Sequence, residues 1–225
     1  MNTKGKITEV FESVQGEGIY IGEEQIFVRF FGCNLECKYC DTKLDSFKEY
    51  EPQELLNEIN LHRNGQHSIA FTGGEPLLQK DFLKEALRLT SGEGFTNYLE
   101  TNGTLPEALE EVIEHVHIVA MDMKLPSSTW LSSFWEEHRR FLKIASRKEV
   151  FLKAIICETT EEDDFRECVK LIKEINKSAV LVLQPNDFDR LARVIEKLKK
   201  FKSISRKENV TACVIAQMHK AAGLR

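Results

Sequence analysis

The sequence lacks any long apolar segment and any excess of positive charge. No apolar run approaches the ~20 residues that a membrane-spanning helix needs, and the first residues contain no apolar core of a secretory leader. The formal net charge is −5 and the pI is about 5.8, so the chain has no general electrostatic footprint for nucleic acid. We therefore expect a cytoplasmic protein that binds neither membranes nor nucleic acids, in a compartment that keeps thiols reduced.

Internal repeats, low-complexity segments and linkers rich in Pro, Gly or Ser are also absent from the sequence. The chain has 225 residues, of which 42% are hydrophobic and 30% are charged. This composition is that of an ordinary globular protein with a substantial core. Because no linker separates two units, we expect residues 1–225 to form a single domain.

Short apolar runs alternate with amphipathic segments along most of the chain. The runs are rich in Val, Ile, Leu or Phe, which is typical of strands covered on both faces. They predict strands at residues 25–31, 68–71, 97–99, 117–121, 150–156, 179–183 and 210–215. The intervening segments predict helices at residues 52–62, 80–89, 106–115, 132–146, 160–176 and 188–201. This alternation predicts an α/β fold with about six to seven parallel strands, in an open sheet or an incomplete barrel.

Three of the six cysteines lie close together in the sequence. Cys33, Cys37 and Cys40 follow the first predicted strand with the spacing C-x3-C-x2-C. Three thiolates can hold three irons of a cubane cluster and leave the fourth iron open for chemistry. A structural zinc site is the alternative, and its fourth ligand would come from elsewhere in the chain: Cys157, Cys168, Cys213, His62 or His67.

Polar or turn-forming residues follow six of the predicted strands. The carboxyl ends of parallel strands lie on one edge, where open sheets and barrels both place active sites. Each segment alone could be a simple turn, but their joint placement indicates a site. The segments are residues 33–40, Thr72-Gly-Gly-Glu-Pro76, Glu100-Thr-Asn-Gly103, Asp122-Met-Lys124, Gln184-Pro-Asn186 and Gln217-Met-His-Lys220.

Arg29 and Lys153 lie inside otherwise apolar predicted strands. A buried cation is costly unless it faces a partner or a ligand. An internal salt bridge would explain either residue. Because a guanidinium fork suits a carboxylate, Arg29 is also a candidate to bind the carboxylate of a ligand.

These motifs together resemble those of a known family. The C-x3-C-x2-C spacing with Gly73-Gly-Glu-Pro76 resembles the radical S-adenosylmethionine (SAM) enzymes. The chain is also similar to the 7-carboxy-7-deazaguanine synthases of queuosine and other 7-deazapurine biosynthesis. That similarity is carried by Glu12-Ser-Val-Gln-Gly-Glu-Gly18, Phe27-Val-Arg-Phe-Phe-Gly-Cys-Asn-Leu-Glu-Cys-Lys-Tyr-Cys-Asp-Thr42 and Gln217-Met-His-Lys220. The resemblance covers nearly the whole chain and implies the incomplete TIM-like β/α barrel of radical SAM enzymes.

The resemblance implies a [4Fe-4S] cluster on Cys33, Cys37 and Cys40, whose open iron would chelate the amino and carboxylate groups of SAM. Glu75, with the backbone of Gly73 and Gly74, would receive the methionine amine. Many members of the family read Ser-Pro-Lys after the fourth strand, where this chain reads Asp122-Met-Lys124, so the contact of that serine stays open. The other residues expected along the cofactor are Tyr39, Cys40, Asp41, Gly103, Asp122, Met123, Lys124, Gln184, Pro185 and Asn186.

The resemblance also implies a pterin substrate and a Mg²⁺ ion on Thr42 that touches this substrate. Arg29 would reach the pterin carboxylate, and Glu17 would accept hydrogen bonds from the amidine-like N–H edge of the ring. The remaining expected contacts are Val14, Gln15, Gly16, Thr101, His219 and Arg225. Most of them lie in short N-terminal and C-terminal substrate-binding extensions of the core.

The implied reaction is the ring contraction of 6-carboxy-5,6,7,8-tetrahydropterin to 7-carboxy-7-deazaguanine with release of ammonia. A radical derived from SAM would start this carbon–nitrogen lyase reaction, and no side chain is expected to act as an acid or base. The resemblance further implies a homodimer and a low-potential electron donor, a flavodoxin or ferredoxin. Two alternatives stay open: an activase of a glycyl-radical enzyme, and a zinc-binding interaction module without catalysis.

Overall fold

The computed structural model describes residues 4–42 and 45–217, in which strands and helices alternate. The strands are β1 Gly5–Val14, β2 Glu24–Phe30, β3 Lys48–Tyr50, β4 Ser68–Gly73, β5 Asn97–Thr101, β6 Ile118–Asp122, β7 Glu149–Ile156, β8 Leu181–Pro185 and β9 Ala212–Val214. The helices are α1 Pro52–Leu61, α2 Lys80–Gly92, α3 Pro106–Val112, α4 Pro126–Thr129, α5 Trp135–Ala145, α6 Glu162–Ile175 and α7 Leu191–Lys207.

Within the described residues the strands form one sheet of nine, in the order β3-β1-β2-β4-β5-β6-β7-β8-β9. The seven strands β2 and β4 to β9 pair in parallel, whereas β1 and β3 are antiparallel additions at one edge. The two ends of the sheet, β3 and β9, do not pair with each other. The predicted α/β class and the incomplete barrel with six to seven parallel strands are confirmed.

Strands β1 and β3 were not predicted, because both lie near the edge of the sheet, where strands need not be continuously apolar. In β1 the buried residues Gly5, Ile7 and Phe11 alternate with more exposed polar ones. This alternation is typical of a strand with one covered face, and a search for continuous apolar runs overlooks it. The short helix α4 was also missed.

The two faces of the sheet belong to two different groups of buried residues. The outer face packs against the helices and forms the larger core, which includes Val28, Phe71, Leu99, Met121 and Leu152. The inner face carries a smaller set of buried residues, here called the inner cluster: Phe11, Phe27, Ala70, Tyr98, Ile118, Ala120, Phe151 and Val182. Because β1, β2 and β4 to β8 all contribute to one inner cluster, the sheet must curve around it.

The loop between β1 and β2 packs against this cluster near the amino-terminal ends of the parallel strands. The Tyr20 ring contacts the rings of His67, Tyr98 and Phe151, and its hydroxyl donates to Glu149. Burial raises the pKa of Tyr20 to about 12, so its hydroxyl stays protonated as a donor. The preceding residues of the loop thereby enter the space enclosed by the sheet. No helix in residues 4–42 and 45–217 is long and apolar enough to cross a membrane.

Candidate active site

A cleft lies on the inner face of the sheet, at the carboxyl ends of the parallel strands. Its empty space, including the mouth open to solvent, is about 1460 Å³. The predicted site residues that line it are Val14, Gln15, Gly16, Glu17, Arg29, Cys33, Cys37, Tyr39, Cys40, Asp41, Thr42, Gly73, Gly74, Thr101, Asp122, Lys124, Gln184, Pro185 and Asn186. The structure therefore brings most of the predicted site together.

The loop that follows β2 carries Cys33, Cys37 and Cys40 and is here called the cysteine loop. It borders the mouth of this cleft. Cys33 and Cys40 are exposed, Cys37 is half-buried, and all three are free thiols. Burial raises the pKa of the Cys33 and Cys37 thiols, so a metal rather than the protein would have to deprotonate them. In the described residues no group of three or more His, Cys, Asp or Glu side chains is arranged to hold a single metal ion. A cubane assigns one thiolate to each of three irons, and the three thiols of one loop fit that donor set.

The Gly-Gly-Glu-Pro segment holds this loop in place. Gly74 N donates to Phe30 O at 3.0 Å, and Glu75 N donates to Gly32 O at 2.8 Å. A Cβ atom on Gly74 would lie 1.9 Å from Gly32 O, and Gly73 has a φ of +121°. Only glycine fits such a close backbone approach and such a dihedral angle. The pair of glycines therefore lets the segment pack directly against the start of the cysteine loop.

Glu75 is fully buried and fastens this segment to the turn after β5. Its Oε1 accepts hydrogen bonds from Leu77 N and Thr101 Oγ1, and its Oε2 accepts one from Asn102 N at 2.7 Å. Burial raises the pKa of Glu75 to about 7, although these three donors oppose the shift. Glu75 itself does not line the cleft. The residue predicted to receive the methionine amine thus also organises the backbone around the site.

The turn after β5 also holds the cysteine loop, through Asn102 of the predicted polar segment and through Asn34 and Thr104, which the sequence analysis did not single out. Asn102 Nδ2 donates to Asn34 Oδ1 at 2.8 Å, and Asn34 Nδ2 donates to Thr104 Oγ1 at 2.9 Å. Asn102 also lines the cleft. The predicted contact Gly103 has a φ of +71°, and a Cβ there would lie 2.8 Å from Met121 Cε.

The carboxyl end of β6 and the residues that follow it present one ion pair to the cleft. Lys124 Nζ donates to Asp122 Oδ2 at 2.8 Å and lies 5.6 Å from the centre of the Tyr39 ring. Burial opposes charge on both groups, but their attraction outweighs it: the pKa of Asp122 is lowered and that of Lys124 is raised. The Met123 side chain packs in the outer core instead. Asp122 is therefore already paired with Lys124 at the cleft.

A ring of polar side chains lies directly above the inner cluster. On β2 and β4 to β8, each strand has a polar residue two positions after its member of the inner cluster, and side chains two apart share a face. All six line the cleft, and they are here called the polar layer: Arg29, Thr72, Glu100, Asp122, Lys153 and Gln184. Gln184 Oε1 is buried and has no hydrogen-bond partner among the described residues. Such an orphaned acceptor fits a ligand that donates a hydrogen bond.

Arg29 lies on the β2 wall of the polar layer. Its Nε donates to Glu9 Oε1 at 2.7 Å, and its guanidinium lies 5.6 Å from the centre of the Phe11 ring. Both members of this pair are partly exposed. The internal salt bridge considered for Arg29 therefore exists, and it involves the Nε atom of the guanidinium group.

Gln15 and Glu100 form a hydrogen-bonded network. The sequence analysis expected Gln15 as a substrate contact and Glu100 in a polar segment, but it did not predict that they meet. Gln15 Nε2 donates to Gln25 Oε1 and to Glu100 Oε1, both at 2.9 Å, and Thr72 Oγ1 donates to Glu100 Oε2 at 2.6 Å. Gln15 Oε1 in turn accepts from Glu17 N at 3.0 Å. A signal for Glu100 was present, because it is a charged residue one β-period after Tyr98 in a buried strand. The same signal identified Arg29 and Lys153.

Glu17 lies across the curved sheet from Arg29, against the β7 wall. Lys153 Nζ donates to Glu17 Oε2 at 2.9 Å, and Gln217 Nε2 donates to Glu17 Oε1 at 2.5 Å. Burial would raise the pKa of Glu17, but the charge of Lys153 and these two hydrogen bonds outweigh it and hold the pKa below its usual range. Lys153 Nζ also lies 3.5 Å from Asp122 Oδ1. Glu17 is therefore an ionised carboxylate with a fixed orientation.

Two predicted substrate contacts, His219 and Arg225, lie outside the described residues. Thr42 is half-buried at the edge of the cleft, and Thr101 is buried with its hydroxyl on Glu75. The thiols, the glycine-supported loop and the orphaned Gln184 acceptor together fit a cluster with a bound nucleoside cofactor at the mouth of the cleft. The polar layer beneath them fits a second, polar ligand.

Comparisons with known proteins agree with this arrangement. A family model described as the radical SAM superfamily matches residues 27–201. The 7-carboxy-7-deazaguanine synthase of Geobacter sulfurreducens is 38% identical over 205 residues, covering 80% of this chain and 81% of that protein. The 7-carboxy-7-deazaguanine synthase of Archaeoglobus fulgidus is 32% identical over 238 residues, covering 99% of this chain and 100% of that protein.

A solved structure shares the fold. The crystal structure of QueE from Escherichia coli superposes with a TM-score of 0.66 at 21% sequence identity and covers 94% of this chain and 93% of that chain. The chain belongs to the radical SAM superfamily and, within it, to the family of 7-carboxy-7-deazaguanine synthases.

Proposed function

We propose that this protein converts 6-carboxy-5,6,7,8-tetrahydropterin to 7-carboxy-7-deazaguanine and ammonia in 7-deazapurine biosynthesis. Family membership implies a [4Fe-4S] cluster and SAM as its cofactors. Membership of the 7-carboxy-7-deazaguanine synthase family favours this activity over the two alternatives, activation of a glycyl-radical enzyme and zinc binding without catalysis. The observation that carries it is the pair of charges in the cleft: Arg29 of the polar layer lies on the β2 wall, and Glu17, from the loop between β1 and β2, lies against the β7 wall.

The charges of Arg29 and Glu17 match the two ends of the proposed substrate. The pterin carries a carboxylate at one end and an edge of N–H donors at the other. Arg29 on β2 offers a guanidinium fork to the carboxylate. Glu17, held ionised beside β7, offers two acceptor oxygens to the N–H edge. A flat bicyclic ring placed between them would lie against the inner cluster, whose members Phe11 and Phe27 line the cleft.

The cofactors supply the hard chemistry: when bound, the reduced cluster and SAM provide a carbon-centred radical. The residues of the chain orient the cofactors and the substrate and exclude side reactions. Cys33, Cys37 and Cys40 would hold the cluster, and the Gly73–Glu75 backbone with Lys124 and Gln184 would hold SAM. Fixing the pterin between Arg29 and Glu17 would keep its reacting carbon in one place, since an error of about an ångström costs reactivity. No side chain needs to act as an acid or base in this account.

We further propose that Thr42 binds a Mg²⁺ ion that also touches the pterin carboxylate. The support is the place of Thr42, half-buried at the cleft edge directly after the cysteine loop. Mg²⁺ prefers oxygen ligands and retains several waters, so one hydroxyl and a substrate carboxylate suit it. The ion would offset negative charge during the rearrangement.

The reaction also requires partners and a reducing environment. We propose a flavodoxin or ferredoxin as the electron donor, because the cluster must be reduced at low potential. The exposure of Cys33 and Cys40 supports contact with such a carrier. We propose a homodimer, as the family resemblance implies, and a cytoplasmic location, where thiols stay reduced.

An anaerobic turnover assay tests the proposed function. The protein with reconstituted cluster is mixed with 6-carboxy-5,6,7,8-tetrahydropterin, SAM, Mg²⁺ and a reductant, and 7-carboxy-7-deazaguanine and ammonia are measured together. Equal yields of both products are expected. A tetrahydropterin without the 6-carboxylate is the matched control, and it should give no product because Arg29 and Mg²⁺ lose their partner. An intact cluster that yields no 7-carboxy-7-deazaguanine would contradict the proposal.

A further inference from the structure

Lys153 is a buried cation shared by carboxylates from two different parts of the cleft. Its side chain is 7% exposed and lies between Glu17 at 2.9 Å and Asp122 at 3.5 Å. Glu17 belongs to the loop that enters the enclosed space, and Asp122 belongs to the segment next to the cysteines. The pKa of Lys153 is raised well above its usual range, because the two carboxylates outweigh the effect of burial.

A purely structural salt bridge explains this arrangement poorly. Replacing a buried ion pair by apolar side chains is often neutral or stabilising, so such a pair is weak evidence for a role in stability. All the groups here line the cleft instead of the helix-packed core. The outer face of β7 supplies the packing through Leu152 and Ala154. The charge of Lys153 therefore serves the cleft.

Lys153 determines both the charge and the direction of Glu17. Gln217 fixes the other carboxylate oxygen, but an amide carries no charge. Asp122 lies on the far side of Lys153 and repels Glu17, so removal of Lys153 would leave two carboxylates facing each other. Glu17 would then turn away or take up a proton, and it would lose acceptor capacity towards N–H donors.

We propose that Lys153 is a positioning residue for the pterin, acting through Glu17; this inference rests on the proposed function. The distances predict an asymmetry between the two ligands. Asp122 has Lys124 as its nearer partner, at 2.8 Å, and keeps it when Lys153 is removed. Lys153 lies closer to Glu17, at 2.9 Å, than to Asp122, at 3.5 Å. The loss of Lys153 therefore weakens pterin binding much more than SAM binding.

Calorimetric binding of each ligand to the cluster-loaded protein under anaerobic conditions tests this asymmetry. In Lys153→Met, pterin affinity with SAM bound should fall by about 30-fold or more, since one partner of a buried charge pair is truncated. SAM affinity should change by less than about threefold. Lys153→Arg restores the charge and should recover at least tenfold of the lost pterin affinity. Lys84→Met removes an exposed lysine of α2 and is the control for loss of one positive charge.

A double-mutant cycle separates positioning from packing. In a Glu17→Gln background, Lys153→Met should lower pterin affinity by less than about threefold, because the carboxylate that it orients is gone. If Lys153→Met does not fold, Lys153→Gln replaces it in both experiments. Equal losses of SAM and pterin affinity, no recovery in Lys153→Arg, or full additivity with Glu17→Gln would each overturn the inference.

The wild-type protein distinguishes this inference from the proposed function. A wild-type holoenzyme that neither binds nor converts the pterin overturns the proposed function, and the inference with it. A wild type that forms 7-carboxy-7-deazaguanine, combined with a Lys153→Met variant that loses both affinities equally, overturns the inference alone.

Discussion

The two faces of one sheet are built for different purposes. The outer face of β2 and β4 to β8 packs against helices and is mostly apolar, with the hydrogen-bonded Asn97 and Thr101 of β5 as exceptions. The inner face is apolar only at the level of the inner cluster and becomes polar two residues further along each strand. Neighbouring residues of one strand, such as Leu152 and Lys153, thus belong to different environments. Stability is concentrated on one face and chemistry on the other.

This difference is a consequence of the period of two in a β-strand. A substitution on the outer face removes packing and leaves the charges of the cleft in place. A substitution in the polar layer or the cysteine loop removes a ligand contact, and little packing is lost. The following predictions test whether the two faces can be separated experimentally, from the largest expected effect to the smallest.

The cysteine loop should give the largest loss of activity with the smallest loss of stability. Cys37→Ala removes one cluster ligand on a half-buried loop, so iron content should fall and turnover should become undetectable. Cys168→Ala is the matched control, because Cys168 is fully buried in the outer core. It should keep its iron and its turnover. Iron analysis and the turnover assay check both variants, and equal iron loss in the two would contradict the separation.

Phe165 tests the outer face. Its ring is buried between α6 and α7 and stacks on Phe201 at a centroid distance of 4.2 Å. Phe165→Ala should lower the free energy of unfolding by about 3–5 kcal/mol, because a large cavity remains. Turnover per folded molecule at low temperature should not change. The exposed Leu61 serves as a control, since Leu61→Ala should cost less than about 0.5 kcal/mol. Denaturant titration of the purified proteins measures both values.

Arg29 tests the polar layer on the wall opposite Glu17. Arg29→Met should raise the KM for the pterin by about 100-fold and leave SAM affinity unchanged, because a charge-assisted contact to the carboxylate is lost. Glu9→Gln removes the partner of the Arg29 Nε and keeps the guanidinium, so its effect should stay below about fivefold. Loss of SAM affinity in Arg29→Met would show that Arg29 faces the cofactor instead.

His138 lies where the two faces meet, on α5 beside the turn after β5. Its ring is buried, its Nε2 lies 3.3 Å from Asn102 O, and burial lowers its pKa to about 4. The unfolded chain binds a proton below pH 6.5, and the folded chain does so only below about pH 4. Stability from this group is therefore fully present above pH 6.5 and is lost as the pH falls towards 4.

At pH 5 this loss should amount to about 2 kcal/mol relative to pH 7. A His138→Gln variant should lack this part of the pH dependence, and equilibrium unfolding at the two pH values measures it. Identical pH dependence in both proteins would mean that folding does not change the pKa of His138.

The sequence predicted the parts of this molecule that repeat or that carry unusual chemistry. Continuous apolar runs revealed the parallel strands, because central strands are covered on both faces. The cysteine spacing and the glycine pair located the mouth of the cleft. The glycines do more than allow a ligand to approach: they let the backbone of one loop pack against another, and this could not be seen without coordinates.

The contacts between residues far apart in the sequence could not be predicted, because they depend on the curvature of the sheet. Glu17 and Lys153 are 136 residues apart, and their pairing arises only because the sheet bends and the loop before β2 enters the enclosed space. Gln15 and Glu100 meet for the same reason. The alternation of side chains along a strand predicts which residues share a face of the sheet. It does not predict how far neighbouring strands are shifted along one another, and this shift determines which of those side chains lie at the same height in the cleft.

A crystal structure of the anaerobic holoenzyme with SAM and the pterin tests the central claim most directly. The pterin should lie within the polar layer, with its carboxylate towards Arg29 and its N–H edge on Glu17, while Lys153 still contacts Glu17. A pterin bound outside this layer, or one whose carboxylate faces the β7 wall, would contradict the account.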